Sequence, residues 1–408
     1  MNIDVVIVGS GPYGLSIGAQ MRDHPSVRVF GPPMYNWRNF MPAGMCLKSD
    51  GFATNLFPGE GRFTLKDYCA QNKIEYADMG LPVRVELFSD YGDAFQAKFL
   101  PHLDPKLVTS VTKTEDGFRL RLEDGRVVNA YKVIFATGIS YIQNMPEQLA
   151  SLGPKLCSHS SLVGDLRKFA GRKIVVVGAG SSATDDAALL QEAGADATIV
   201  CRRPVQFHNR APDTQRTLWQ KIRKPNFGLG PGLRSSICVL FPGWFRVLPL
   251  KMRRKIVKNH LGPAGGWFMK DKVIGKVPIH HGFSLVDARP HGEGVQLKFR
   301  SAEGTEMELF ADHVIAGTGY RASISKVDIL DPAIRAAIRT EDDAPILTRN
   351  FESSVPGLYF VGPLAVMTFG PLMRFALGAD YAGKRLSRHL RHLPVRFGAR
   401  AEAQAPPL

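Results

Sequence analysis

Val5-Val6-Ile7-Val8-Gly9-Ser10-Gly11-Pro12-Tyr13-Gly14 and Ile174-Val175-Val176-Val177-Gly178-Ala179-Gly180-Ser181-Ser182-Ala183 are two versions of one pattern in a single chain. In each, a short apolar run enters a glycine turn that opens a stretch of small residues. This is how a strand feeds a helix whose free N–H groups face a pyrophosphate. Glycine is needed because a side chain would block the turn or the close approach of the phosphate. A single match also fits an ordinary glycine-rich turn; two in strand-to-helix context predict two dinucleotide sites. Gly9, Gly11, Pro12, Tyr13 and Gly14 mark the first, and Gly178, Gly180, Ser181 and Ser182 the second.

Outward from the first turn, the chain reads as strand Val5 to Val8, helix Gly14 to Met21 and strand Val27 to Phe30. A standard unit ends its second strand in Asp or Glu, which binds the adenosine ribose. Here the sequence is Phe30-Gly31-Pro32-Pro33, so ribose recognition is expected from backbone or from another segment. An excursion from Met34 to about Leu103 contains Trp37, a candidate cofactor contact, and Thr64, which suits a helix cap. A small antiparallel set follows, Val108 to Thr112, Phe118 to Leu122 and Val127 to Val133, turning at Asp124-Gly125 and running into an apolar strand that ends at Thr137-Gly138.

The second unit begins near Arg172. Its second strand, Ala197 to Val200, ends in Cys201-Arg202-Arg203, where two guanidinium groups suit a 2′-phosphate; the pair predicts NADPH over NADH, the alternative being exposed loop charges. A basic, aromatic insertion spans 206–277 and holds an amphipathic pattern over Leu248 to Leu261. That helix reads as a surface helix on its own domain, as a lid, or as a contact for a membrane surface or an acidic partner. A hairpin at Gly292-Glu293-Gly294 and a strand at His313 to Ala316 lead to Gly317-Thr318-Gly319-Tyr320, a second Thr-Gly crossing. The crossings bracket the second unit, which predicts an NADPH domain inserted into a discontinuous FAD domain.

The fold class is therefore α/β, with two Rossmann-like domains in a glutathione-reductase-like plan. The boundaries are 1–139 (first FAD part, insertion 34–103), 140–318 (NADPH domain), 319–396 (second FAD part) and a disordered tail, 397–408. The final segment, Gly357 to Pro363 and then Phe369-Gly370-Pro371, reads as a strand, a glycine turn and a helix to about Leu390. A helix N-terminus there would face the flavin ring. Gly362, Pro363, Pro371 and Leu372 join Thr137, Gly138, Thr318, Gly319 and Tyr320 as cofactor candidates.

The 408 residues allow two domains, and 44% hydrophobic and 22% charged content is ordinary for a globular chain. No run of about 18 apolar residues offers a membrane span, and no signal-peptide pattern precedes the first strand, so a cytoplasmic protein is expected. Five cysteines, Cys46, Cys69, Cys157, Cys201 and Cys238, contain no C-x-x-C pair, which argues against a disulfide framework, a metal site or a redox dithiol. The net charge of +15 suits steering of anionic cofactors, and no nucleic-acid motif accompanies it.

Taken together these motifs resemble the class B, two-dinucleotide flavin monooxygenases, which include flavin-containing, Baeyer–Villiger and N-hydroxylating enzymes. The resemblance spans Asp4 to about Leu390. Asp312-x-x-x-Ala316-Gly317-Thr318-Gly319-Tyr320 is similar to the D-x-x-x-L-A-T-G-Y pattern of N-hydroxylating members, with Gly317 where alanine is usual. Thr54-Asn55-Leu56-Phe57-Pro58 resembles the stretch that sets an asparagine beside flavin and nicotinamide, so the resemblance implies a catalytic Asn55, with a loop-capping role as the alternative. Lys48 and Ser49 fall in the stretch that approaches the flavin in N-hydroxylating members. The Baeyer–Villiger fingerprint is not satisfied: His159 takes its histidine position, but Val163 replaces the aromatic, and the histidine reads as structural.

The resemblance implies FAD and NADPH as cofactors, O2 as co-substrate, a C4a-(hydro)peroxyflavin as oxidant and an amine or sulfide as the oxygenated molecule. The alternatives are an NADPH oxidase, a flavin electron-transfer reductase, a Baeyer–Villiger enzyme and a non-catalytic flavin-binding protein.

Overall fold

The computed structural model describes residues 1–57, 62–208, 217, 219, 223–260 and 262–391. The expected tail 397–408, Pro58 and Leu261 lie outside the described residues.

β1 (Asn2–Val8) is buried from Ile3 onward and enters α1 (Pro12–Gln20), after which β2 (Val27–Phe30) returns parallel beside β1. β1 starts earlier than the apolar run suggests because Asn2 and Ile3 pair with Asn129 and Ala130. The excursion carries α2 (Leu65–Gln71) and α3 (Val85–Phe99). Thr64 caps α2 in a capping box with Asp67. An aromatic cluster of Phe63, Phe88, Tyr91 and Phe95 fixes α3 against it.

β3 (Val108–Lys113), β4 (Phe118–Leu122) and β5 (Val127–Phe135) form a meander, but not a separate unit. β5 is continuous to Phe135 and pairs β4 on one side and β1 on the other, so the sheet order is β2-β1-β5-β4-β3. Nine residues suffice because the first half of β5 binds the hairpin while the second half, fully buried, lies in the parallel layer.

A second sheet follows. β6 (Cys157–His159), β7 (Lys173–Val177), β8 (Asp196–Cys201), β9 (Ile279–His281) and β13 (His313–Ala316) are parallel in the order β6-β13-β7-β8-β9. α4 (Ser181–Glu192) packs on it through Ala183, Ala187 and Leu190. Between β9 and β13 the chain builds an antiparallel layer of β10 (Phe283–His291), β11 (Gly294–Ser301) and β12 (Glu306–Ala311).

After a two-residue hairpin, β14 (Thr340–Glu341) with β15 (Ala344–Pro345), β16 (Leu358–Phe360) inserts parallel to β5 and completes the first sheet. The chain thus leaves one sheet, builds another and returns. The insertion of the second unit contributes α5 (Leu233–Leu240) and α6 (Leu250–Asn259). The continuous helix expected from Pro371 to Leu390 is broken. Pro371–Arg374 is one 3-10 turn, Phe375 is extended, and α7 runs only from Gly378 to Leu390. Close packing sets that start: a Cβ on Gly378 would stand 2.3 Å from the Tyr13 hydroxyl oxygen and 2.7 Å from the Leu372 carbonyl oxygen.

Candidate active site

Both glycine turns sit at the carboxyl ends of parallel strands, where ligands bind in open α/β sheets. In the first, Gly9 has φ +100° and a Cβ on it would lie 2.7 Å from the Ala136 carbonyl oxygen. At Gly14 a Cβ would lie 1.8 Å from the Gly9 carbonyl oxygen, so α1 is pressed directly onto the turn. Gly11 differs. It lines a cavity of about 330 Å³, and a Cβ there would meet nothing within 4 Å.

The N-terminus of α1 has no side-chain cap and no acid in its first turn, and the same is true of α4. Both helices therefore leave N–H groups and a positive dipole end for an anion. A glycine cradle, free space at Gly11 and an uncapped helix together fit a dinucleotide pyrophosphate.

The same cavity is lined by Trp37, Thr137, Gly138, Pro363 and Tyr320. Trp37 is fixed edge-on against Phe88, with ring centroids 4.9 Å apart. Tyr13 is buried and bonds the Met373 and Phe375 carbonyls, tying the first turn to the C-terminal segment. Gly362 has φ +66° and packs on the Tyr13 ring. Pro371 and Leu372 are buried, and the wall from this segment is made by Arg374, Phe375 and Ala376. Sequence reasoning missed Arg374, although it is a lone cation following a Gly-Pro turn.

Among the described residues no acidic side chain lines this cavity. Asp104 lies beside the end of β2, where its backbone bonds Gly31 and Val29, but its carboxylate is paired with Arg126 at 2.8 Å. Ser10 Oγ sits 2.7 Å from the carbonyl oxygens of Gly31 and Pro32 and locks the turn to this edge. The missing ribose carboxylate is thus not restored from another segment among the described residues lining the cavity.

The second turn repeats the first with one exchange. Gly178 has φ +147°, and a Cβ on it would stand 2.2 Å from the Gly317 carbonyl oxygen. Where the first unit sets Gly14 against Ala136, the second sets Ala183 against Gly317, and a Cβ on Gly317 would fall 2.7 Å from that of Ala183. This is why glycine stands at position 317. Arg202 and Arg203 are both exposed at the end of β8, with no acidic partner among the described residues.

The two units meet over the start of α4. Lys48, from the first insertion, donates from Nζ to the Ala264 carbonyl of the second insertion at 3.2 Å, and Gly180 approaches Pro263. Solvent reaches the Lys48 side chain, yet the dense protein around its head lowers its pKa, with Asp185 acting in the opposite sense. Asp185, on α4, is itself buried; desolvation raises its pKa to about 7 against the pull of Lys48 and Ser181, whose hydroxyl it accepts at 3.2 Å. One oxygen of Asp185 has no hydrogen-bond partner among the described residues. The signal for it was two adjacent acids, Asp185 and Asp186, set between Ala183-Thr184 and the apolar run Ala187-Ala188-Leu189-Leu190.

Ser49 bonds Thr54 at 2.9 Å. Asn55 donates to the Phe52 carbonyl at 2.8 Å and accepts from the Leu65 amide at 3.0 Å. Both ends of its amide are held by backbone in this conformation, joining the turn to the start of α2. Thr318 donates to the Asn144 carbonyl, and Gly319 has φ +80°.

Comparison with known proteins follows this plan. Residues 81–227 match the pyridine nucleotide-disulphide oxidoreductase family model. Reduced ornithine hydroxylase from Pseudomonas aeruginosa superposes with a TM-score of 0.73 at 14% identity, covering 96% of this chain and 99% of that one. The chain therefore shares the fold of this hydroxylase. That fold is shared more widely: bacillithiol disulfide reductase from Staphylococcus aureus gives a TM-score of 0.62 at 16% identity over 96% of this chain and 98% of its own. Among curated sequences, a ferredoxin–NADP reductase from Mesorhizobium japonicum is 31% identical over 236 residues. That match covers 56% of this chain and 61% of the reductase, so the chain spans less than two thirds of that relative.

His159 holds the two units at the second crossing. Its Nδ1 accepts from the Ser161 amide, which leaves Nε2–H to donate to the Gly319 carbonyl at 3.0 Å. Its ring packs edge-on against Tyr320. Burial pushes its pKa from 6.5 to about 4. Between those values the unfolded chain binds a proton that the folded one does not, so this residue costs stability as pH falls from 6.5 toward 4, by about 3 kcal/mol at most. Urea unfolding at pH 7 and pH 4.5 should show His159→Gln losing less stability over that interval than wild type. Equal losses would remove the histidine from the acid response.

Proposed function

We propose that the chain is an NADPH- and FAD-dependent monooxygenase that oxygenates a soft nucleophile, most readily an amine nitrogen and otherwise a sulfide. The observation that carries this reading is the pair of uncapped glycine cradles on adjoining sheets, with Tyr320 after the second crossing lining the first cavity. FAD bound in the first cradle, once reduced by NADPH from the second, would supply activation of O2.

The chain's own residues do the rest. The free N–H groups of α1 and α4 bind the pyrophosphates, and Arg202 with Arg203 receives the 2′-phosphate. Trp37 and Tyr13 wall the flavin from water. Lys48 and Asp185 lie within each other's field near the start of α4, where burial lowers the pKa of the first and raises that of the second. The ornithine hydroxylase likeness supports nitrogen over sulfur as the target.

A reductase reading has support from the ferredoxin–NADP reductase match. Disulfide reduction has little: all five cysteines are free, none lies in C-x-x-C, and burial raises the pKa of every thiol. The deciding experiment measures NADPH consumed, peroxide released and oxygenated product formed with a panel of primary amines, amino acids and sulfides. Hydroxylamine or sulfoxide matching NADPH consumption supports oxygenation. Fast ferricyanide or ferredoxin reduction with no oxygenated product from any compound assigns the reductase role.

A further inference from the structure

We propose that the insertion between β8 and β9 docks the protein onto the surface of an anionic lipid bilayer. The inference stands apart from the redox reading, because it uses none of the residues of the two cradles.

α5 is turned inside out. Its buried positions are Ser235 and Ser236, and Ser236 satisfies its hydroxyl on the Gly232 carbonyl at 3.0 Å. Its outward face is Leu233, Ile237 and Leu240, at i, i+4 and i+7. The chain continues with Phe241, Trp244 and Val247, and α6 adds Met252, so that seven large apolar side chains between 46% and 70% exposed fall within twenty residues. Four of them, Ile237, Phe241, Trp244 and Met252, line a mostly apolar cavity of about 510 Å³ together with Ile256 and Phe369. Single exposed apolar residues need no explanation, but a contiguous patch of this kind marks a surface that meets something apolar.

Charge selects the partner. From Leu233 to Asn259 the chain has seven Lys and Arg and no Asp or Glu. Arg253 and Arg254 are spent on Glu341 and Asp342. Arg234, Arg246, Lys251, Lys255 and Lys258 are exposed around the apolar patch, with no acidic partner among the described residues. A second copy of the same face would bring these cations against one another, which opposes a symmetric dimer. A surface of anionic headgroups over hydrocarbon satisfies both features: tryptophan and aliphatic chains enter the acyl boundary while the cations remain at headgroup level. The helices are 8 and 10 residues long and no described helix can cross a membrane, so the contact is peripheral.

The test is co-sedimentation of the full-length, flavin-loaded protein with vesicles of phosphatidylcholine alone and of phosphatidylcholine with phosphatidylglycerol. The anionic vesicles should bind at least about tenfold more tightly, since five cations each contribute near an anionic surface. The advantage should fall as salt is raised. Trp244→Ser with Leu240→Ser, and separately Lys251→Glu with Lys255→Glu, should each remove most of the binding while flavin content and NADPH oxidation stay at wild-type levels. Equal, weak binding to both vesicle types overturns the proposal. So does binding that both double variants retain, or a concentration-dependent dimer that the Trp244→Ser, Leu240→Ser variant abolishes, which would give the face to a second copy.

Discussion

Gly11→Ala should fold as stably as wild type in the absence of cofactor and lose flavin affinity by about a hundredfold, because a methyl group there meets no protein atom within 4 Å yet enters the space of the pyrophosphate. Losing one or two charge-assisted bonds to the phosphates, at about 1.5 to 3 kcal/mol each, accounts for that factor. Gly14→Ala acts on the other side of the same turn. Its Cβ would stand 1.8 Å from the Gly9 carbonyl oxygen, so α1 must move off the turn and the fold itself should lose about 3 kcal/mol or more. Thermal unfolding of the two apoproteins, followed by titration with FAD, separates the cases. A Gly11→Ala protein that retains flavin like wild type would mean that the first cradle does not hold the phosphate.

Arg202→Glu with Arg203→Glu should abolish a preference for NADPH over NADH of tenfold or more, by raising the Michaelis constant for NADPH with little change for NADH. The exposed position of both arginines at the end of β8, with no acidic partner among the described residues, is what a 2′-phosphate requires. Each lost charge-assisted contact is worth about 1.5 to 3 kcal/mol, and a carboxylate in its place adds repulsion. Initial rates with the two nucleotides check this, and an unchanged ratio would return both residues to the role of loop charges.

The parts legible in the sequence are those that backbone geometry dictates. A glycine at positive φ or in close contact leaves no choice of residue, so Gly9, Gly14 and Gly178 declare their turns, and a Thr64 with Asp67 three residues on declares a cap. The departure at Gly317 was visible too, but its cause was not, since Ala183 is over a hundred residues away in the chain. The broken helix after Pro371 escaped in part for the same reason: Tyr13, remote in the chain, helps the local Leu372 carbonyl to set its start. Asn55 shows the limit most clearly. Its neighbours in sequence resemble a catalytic stretch, while in the fold its amide spans two backbone groups. Asp185 required knowing that Lys48, from the other unit, comes near enough for its charge to act on the buried carboxyl group.

The most direct test of the account is anaerobic reduction of the flavin-loaded protein with NADPH, followed by mixing with oxygenated buffer while flavin absorbance is recorded. The account predicts rapid bleaching by NADPH, then a delayed return of the oxidised spectrum that a productive amine or sulfide accelerates. Failure to bleach, or immediate reoxidation that no amine or sulfide alters, would contradict it.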